Sequence, residues 1–472
     1  MIVNSITFLI FFSVVFILYY IGEKSRGWQQ CVLLLASSIF YAWTNWKMLL
    51  LLTISIFVFY GLALLMERYR NEKIKNILCA LGIITGVGML LYFKYLNFFI
   101  DSFVSIFTKI GLECNLNTFK IAMPLGISFF TFKLISYIVD VRRGEIPICK
   151  NIITLANYIS FFPTILSGPI DKASKLLPQF EQVHSFNYNI AVDGCRQILW
   201  GMFKKMVIAD GLSIYTMPNP ETANGSTLFI LSVYYSIQLY CDFSGYSDMA
   251  IGIGKLLGFN ITSNFRYPYF ASSIAEFWKR WHISLLNWFR HYIYIPLGGS
   301  RCSKVKVIRN TFIIFLVSGL WHGANWTFIL WGLLHAIFFV PILLNNRPRT
   351  KVNLEKKIRL NIHNTINIIT VFLLVDFAWI IFHAADIKQA MVIFSKIFSS
   401  SVFSKPVGVL PALPILLFSL GMFMYELRAS DKEYALKVLP QNKILRWSLY
   451  ISIVLLIVFY QGKPTQFIYF NF

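Results

Sequence analysis

The chain has 472 residues, of which 57% are hydrophobic and 14% charged, with 43 Lys and Arg against 21 Asp and Glu. Soluble domains carry roughly 25% charged residues, so the composition excludes a large soluble domain and describes a polytopic membrane protein with room for about ten spans of roughly 20 residues each. The net charge of +22 does not point to nucleic acid, because the basic residues fall between apolar runs, as cytoplasmic loops do, and not on one amphipathic surface.

In chain order, Ile2 to Ile21 has no basic n-region and no small-residue cleavage site, and it reads as a retained first span closed by Glu23, Lys24 and Arg26. Cys31–Trp46 and Met48–Met66 read as the next two spans. The loop Glu67–Lys75, with Arg68, Arg70, Lys73 and Lys75, leads into the apolar run Ile77–Phe93. Placing the Lys24/Arg26 and Arg68–Lys75 loops inside puts the N-terminus outside. The seven cysteines have no pair at metal spacing, so neither a disulfide framework nor a metal site is expected.

Beyond Lys120 the pattern becomes irregular. Met123-Pro124-Leu125-Gly126 opens an apolar stretch that ends at Asp140, and Pro163 and Pro169 interrupt the uncharged run Asn151–Ile170. Phe161–Pro169 therefore reads as a re-entrant segment, a broken helix lining a cavity, or a kinked ordinary span. Thr222–Cys241 has full spanning length. Asp242 and Asp248 follow, a carboxylate pair that fits acid/base work or cation binding, or else, through Ser247 or Asp248, the cap of a next helix.

From Ala275 to Tyr294, Phe277, Trp281, Leu285, Trp288 and Tyr292 follow helical spacing, with Glu276, Lys279, Arg280 and Arg290 between them. This predicts one amphipathic helix in the membrane interface, carrying His282. A basic loop with Arg301, Lys304, Lys306 and Arg309 precedes the run Thr311–Asn346, which contains no charged residue. As one helix that run would measure roughly 54 Å, so it cannot be one simple span. Thr365–Phe382, which carries Asp376, Val407–Tyr425 and Trp447–Gly462 complete the spans. With the basic stretches Arg347–Arg359 and Arg428–Arg446 inside, the tail from Lys463 lies outside.

The histidines are not equivalent. His184, His363 and His383 stand in polar or terminal positions. His335 lies thirteen residues after His322, about 220° round an ideal helix and nearly opposite to it, which suits a packed or hydrogen-bonded core histidine. His322 sits in Ser318-Gly319-Leu320-Trp321-His322-Gly323-Ala324-Asn325-Trp326. Gly319 and Gly323 admit another helix or a substrate to the backbone, and Trp321, Trp326 and Trp331 can wall a tunnel. An ionisable side chain in such a run needs a functional reason, and a neutral imidazole can take a proton from a hydroxyl.

The set formed by Trp321-His322-Gly323-Ala324, Glu276-Phe277-Trp278-Lys279-Arg280-Trp281-His282-Ile283-Ser284-Leu285 and Tyr240-Cys241-Asp242-Phe243-Ser244-Gly245-Tyr246 resembles the membrane-bound O-acyltransferase (MBOAT) family. Met123 to Phe132, Phe162-Pro163 to Gly168-Pro169, Pro296-Leu297-Gly298-Gly299 and Phe467 to Phe472 extend the likeness over nearly the whole chain. The branch it resembles most acetylates bacterial polysaccharides such as alginate, and more distantly it resembles the D-alanine transferases of teichoic acid.

The resemblance implies an all-α polytopic fold of about 10–12 transmembrane helices with re-entrant and interfacial helices around a central tunnel. It would form a single domain over 1–472, with N-terminal spans (1–120), a catalytic core (121–346) and C-terminal spans ending in an outward aromatic tail (347–472). It implies a multi-pass protein of a bacterial cell membrane that transfers an acetyl group from acetyl-CoA, a substrate and not a resident cofactor, toward an extracytoplasmic polysaccharide or a secreted or periplasmic partner protein. His322 is then the catalytic histidine, and His282 is a second polar group of the same chamber. Lys279, Arg280, Arg290 and Arg301 are candidate contacts for the CoA phosphates or for lipid headgroups. Tyr469 is an acyl relay on the outer side or an interfacial anchor. D-alanyl transfer from a carrier protein, and a transporter or flippase with His322 as proton relay, are the competing readings.

Overall fold

A computed structural model of the chain describes residues 1–43, 45–111, 121–215, 219–345 and 354–468. Among those residues all regular structure is helical. The chain forms two compact units, one of Met1–Ala191 with Ile253–Thr262 and one of Val192–Gly252 with Ser263–Phe472.

In the first unit, α1 (Ile6–Ile21), α2 (Arg26–Ala42), α3 (Trp46–Arg68) and α4 (Glu72–Leu90) follow the first four apolar runs. Each begins where Ser5, Ser25, Asn45 or Asn71 accepts a backbone N–H of the first turn, satisfying a donor that hydrocarbon cannot. A π-helical turn, Leu91–Tyr95, carries α4 into α5 (Leu96–Lys109). The next helix, α6 (Ile127–Arg143), starts at Gly126, whose φ is 70° and where a Cβ would stand 2.4 Å from the Ile165 carbonyl oxygen. Only glycine meets both demands, which explains the end of the Met123–Gly126 motif.

Helix α7 (Ile152–Ser160) stops at Phe161, and the chain through residue 171 is buried and non-helical before α8 (Ala173–Leu176). Pro163 and Pro169 thus break a helix and do not merely kink a span. The freed polar groups are met from within the unit. Ser37 Oγ accepts from the Phe162 N–H at 3.2 Å, and the buried Lys133 ammonium donates to the Tyr158 carbonyl at 3.3 Å and to Thr164 Oγ1 at 2.9 Å.

The second unit takes most of α9 (Tyr188–Met202), which passes through π-helical Phe203–Ala209 into the single turn α10 (Asp210–Leu212), and most of α11 (Gly225–Leu256). It continues with α12 (Ile274–Arg280), α13 (Ile283–Phe289), a π-helical turn Arg290–Tyr294, α14 (Lys304–His322), α15 (Trp326–Leu344), α16 (Ile362–His383), α17 (Ile387–Ile397), α18 (Leu413–Arg428) and α19 (Lys443–Tyr460).

Three local expectations change here. The helix expected over Ala275–Tyr294 is broken at Trp281–His282. The described part of the uncharged run, 311–345, is a helical hairpin, so His322 and His335 lie on different helices and the 220° argument does not apply. No new helix starts at Asp248, because α11 runs unbroken for 32 residues and both aspartates lie inside it.

Among the described residues six helical stretches are long and apolar enough to cross a membrane: Trp46–Arg68, Glu72–Lys109, Trp326–Leu344, Ile362–His383, Leu410–Arg428 and Lys443–Tyr460. The larger number expected from sequence also counted shorter or more polar stretches such as Ile6–Ile21, Arg26–Ala42 and Gly225–Leu256. The outward residues of these helices, Ile54, Ile84, Leu420 and Phe459 among them, are exposed aliphatic and aromatic side chains, a surface suited to lipid and not to water.

Candidate active site

His322 is the last residue of α14, and the C-cap Gly323 turns the chain toward α15. The two helices meet backbone to backbone. A Cβ on Gly319 would stand 2.2 Å from the Phe328 carbonyl oxygen, and one on Gly332 would stand 2.3 Å from that of Phe315. The partner that Gly319 admits is therefore α15. Asn325 starts that helix by accepting the Thr327 N–H at 3.0 Å, and its amide donates to the Ala385 carbonyl at 2.8 Å, which ties the turn to the end of α16. His322 is buried, with ring centroids of Trp321 at 5.0 Å, Trp331 at 5.0 Å and Phe382 at 5.2 Å, each close to perpendicular to it.

His282 stands at the break between α12 and α13 in the left-handed region, with φ 44° and ψ 52°. That conformation costs a non-glycine residue about 1–2 kcal/mol, and the neighbouring chain compensates. The backbone N–H of Ile283 donates to the Asn264 carbonyl at 2.9 Å, that of Ser284 to Asn264 Oδ1 at 3.2 Å, and that of Arg266 to the Arg280 carbonyl at 3.0 Å. The break turns the imidazole inward, perpendicular to Phe243 at 4.7 Å and 5.8 Å from Trp321. Trp321 thus touches both imidazoles. Helices of seven residues do not span a membrane, and in this segment burial pushes His282 down to about 3, so the ring is neutral.

His282 and His322 line one cavity, whose walls enclose about 320 Å³ of atom-free space, part of it open to the outside. Trp278, Trp281, Phe289 and Phe315 supply its aromatic wall, Leu285, Leu286 and Ile314 its aliphatic wall, and Ser318 is the hydroxyl-bearing residue among those lining it. His335 is not among the lining residues. It is fully buried behind Trp331, and its Nδ1 accepts the Trp278 indole N–H at 3.3 Å, the hydrogen-bonded core role expected of it. Trp321 and Trp331 wall the imidazoles, whereas Trp326, 52% exposed at the start of α15, does not.

The four cationic candidates separate. Lys279, Arg290 and Arg301 are exposed. Arg280 is 2% exposed, paired with Glu276 at 2.8 Å, and donates from Nη1 to the Arg266 carbonyl at 2.9 Å. Its guanidinium holds the break beside His282 and is turned away from any phosphate or headgroup at the surface. Tyr469 lies outside the described residues.

Sequence reading missed a buried ionic seam between α11 and the π-helical segment after α9. Lys204 pairs with Asp248 at 2.6 Å, and Lys205 pairs with Asp242 at 2.6 Å and with Asp210 at 2.8 Å. Gln197 donates to Asp248 at 2.8 Å, and the Tyr240 hydroxyl donates to the Glu426 carboxylate at 3.0 Å. The six-residue spacing of Asp242 and Asp248 therefore serves two consecutive lysines. The signal available was Lys204-Lys205 itself, a charged pair set in the apolar stretch Ile198–Ile208. A polar cavity of about 270 Å³, part of it open, is lined by Lys204, Ser244, Asp248, Tyr267 and Glu426 among others.

Residues 35–380 match the model of a family described as MBOAT, membrane-bound O-acyltransferase. The chain is 38% identical over 411 residues to the probable alginate O-acetylase of Pseudomonas aeruginosa, covering 84% of this chain and 75% of that one. It is 34% identical over 413 residues to the peptidoglycan O-acetyltransferase of Helicobacter pylori, covering 81% and 76%. A teichoic acid D-alanyltransferase of Bacillus subtilis is 32% identical over 226 residues, covering 45% of this chain and 57% of the relative.

Proposed function

The chain belongs to the membrane-bound O-acyltransferase family and is an acyltransferase, and from that premise we propose that it draws an acetyl group from cytosolic acetyl-CoA and passes it across a bacterial cell membrane for O-acetylation of an extracytoplasmic polysaccharide. The observation that carries this reading is the shared cavity, in which two buried imidazoles, one on each of two helix ends, face the same apolar space. A thioester is already an activated acyl group, so the protein's task is to hold two reactants together and supply a base. His322 takes the proton of the acceptor hydroxyl while that oxygen attacks the thioester carbonyl. The tetrahedral intermediate expels the thiolate, which leaves as the thiol with the proton returned by His322. His322 closes α14, and the partial negative charge of that helix end favours the imidazolium while it lasts. His282 is the second polar group of the cavity and meets the charge that develops on the carbonyl oxygen.

Lys279, Arg290 and Arg301 contact the CoA phosphates from the exposed side of this segment. Tyr469 carries the acetyl group outward to a secreted or periplasmic partner, or directly to polymer. Similarity over 81–84% of the chain to proteins named for O-acetylation supports acetyl over D-alanyl transfer, for which the likeness covers 45–56% of this chain. Purified protein supplied with acetyl-CoA tests the enzyme reading. His322→Ala is expected to lower thioester consumption by about 10²–10⁴-fold. Intact consumption with failed export would overturn it in favour of a transporter. Tyr469→Phe keeps the ring and removes the hydroxyl, and unchanged polymer acetylation would exclude the relay.

A further inference from the structure

The seam around Lys205 holds one amine against two carboxylates, all nearly inaccessible, with side-chain exposures of 4% for Lys205 and 2% each for Asp210 and Asp242. One cation does not compensate two buried anions, so each carboxylate needs further donors. Those donors come from the segment after α19. The Thr465 hydroxyl donates to Asp210 Oδ1 at 2.5 Å, and the Ile468 N–H donates to Asp242 Oδ2 at 2.8 Å. Lys205 in turn donates to the Thr465 carbonyl at 3.2 Å, and the Gly462 N–H donates to the Met206 carbonyl at 2.8 Å. A Cβ at position 462 would stand 2.2 Å from the Asp210 carbonyl carbon, so only glycine lies this close. Phe467, 4% exposed, fills the space beside Tyr246 at 5.1 Å and Phe243 at 5.5 Å. Phe243 also packs against His282, at 4.7 Å.

We infer that Lys205, Asp210 and Asp242 form a receptor for the protein's own C-terminal tail, a cradle built to bind backbone N–H and hydroxyl donors in residues 461–468 and so to fix the register at which the chain leaves Ile468. These are positioning residues, since they act through the tail and through Phe243 and not on the reacting atoms. Tail docking stands on the contacts above, and only its consequence for transfer rests on the reading of Tyr469 as a relay. The cradle fixes Ile468, the residue before Tyr469, beside Phe243 and so near the wall of His282, the setting a relay at the next position would need.

Amide hydrogen exchange in the full-length protein in lipid nanodiscs tests the receptor. In the wild type the amides of 461–468 are expected to be protected. Gly462→Ala and Thr465→Val, both on the tail and outside the helices, are expected to speed exchange there by about tenfold or more while leaving α14 and α15 unchanged, and polymer acetylation should fall with them. Lys205→Met should loosen the same segment. If it also loosens α11, the two tail variants carry the test alone. Exchange at 461–468 that is unprotected in the wild type, or unaltered in both tail variants, overturns the receptor. Tyr469→Phe should keep the protection. If it also keeps full acetylation while Gly462→Ala loses both, the relay falls and the receptor stands.

Discussion

Two buried polar regions lie in the same unit and handle burial in opposite ways. Around His322 and His282 the polar groups are imidazole rings packed against the faces and edges of Trp321, Trp331, Phe243 and Phe382. Around Lys204 and Lys205 they are full charges neutralised at 2.6 Å. A charge removed from water is tolerated when paired, and a paired charge is committed to its partner. A neutral base can be buried without a counter-charge and keeps its capacity to take a proton. The seam therefore suits holding helices together and presenting the tail, and the aromatic cavity suits proton transfer.

Exchanging the consequences of the two regions tests the difference. Lys204→Met leaves Asp248 buried without its cation and should cost about 3–5 kcal/mol of stability, whereas Lys204→Met with Asp248→Leu should recover most of it; thermal unfolding in detergent reads both. A double variant as unstable as the single one would mean that the seam is more than a matched pair. His335→Ala removes the acceptor of the Trp278 N–H and should cost about 1–3 kcal/mol, while thioester turnover per folded molecule falls far less than in His322→Ala. An equal loss of turnover would put His335 into the catalytic set. Arg290→Gln and Arg301→Gln are exposed changes and should shift stability by no more than about 0.5 kcal/mol. As CoA contacts they should raise KM for acetyl-CoA by about tenfold at unchanged kcat. An unchanged KM would leave them to lipid headgroups.

Much of the aromatic cavity was legible because its signal is local. An uncharged run holding a histidine between glycines marks both the buried position and the close helix contact. What could not be read depends on which distant segments meet. The partner lysines of Asp242 and Asp248 stand some forty residues earlier in the chain, so the carboxylates read as an acid/base or cation-binding pair or as a helix cap. The break at Trp281–His282 is made by Asn264 and Arg266, which satisfy the freed backbone from a separate stretch, and helical periodicity runs straight through it. The tail from Lys463 read only as an outward aromatic tail, because the anions that hold it belong to α10 and α11.

The two glycine contacts of the hairpin also bear on how this enzyme can change over time. Gly319 against Phe328 and Gly332 against Phe315 are notches at two heights of the same pair of helices. Sliding one helix by a single residue would drive a side chain into a carbonyl at both notches at once. The height of His322 is thus indexed by backbone and not by the rings around it. Trp278, Phe289 or Phe315 can be exchanged to reshape the space for a different acyl group or acceptor without moving the base, so that specificity can drift while the chemistry stays in register.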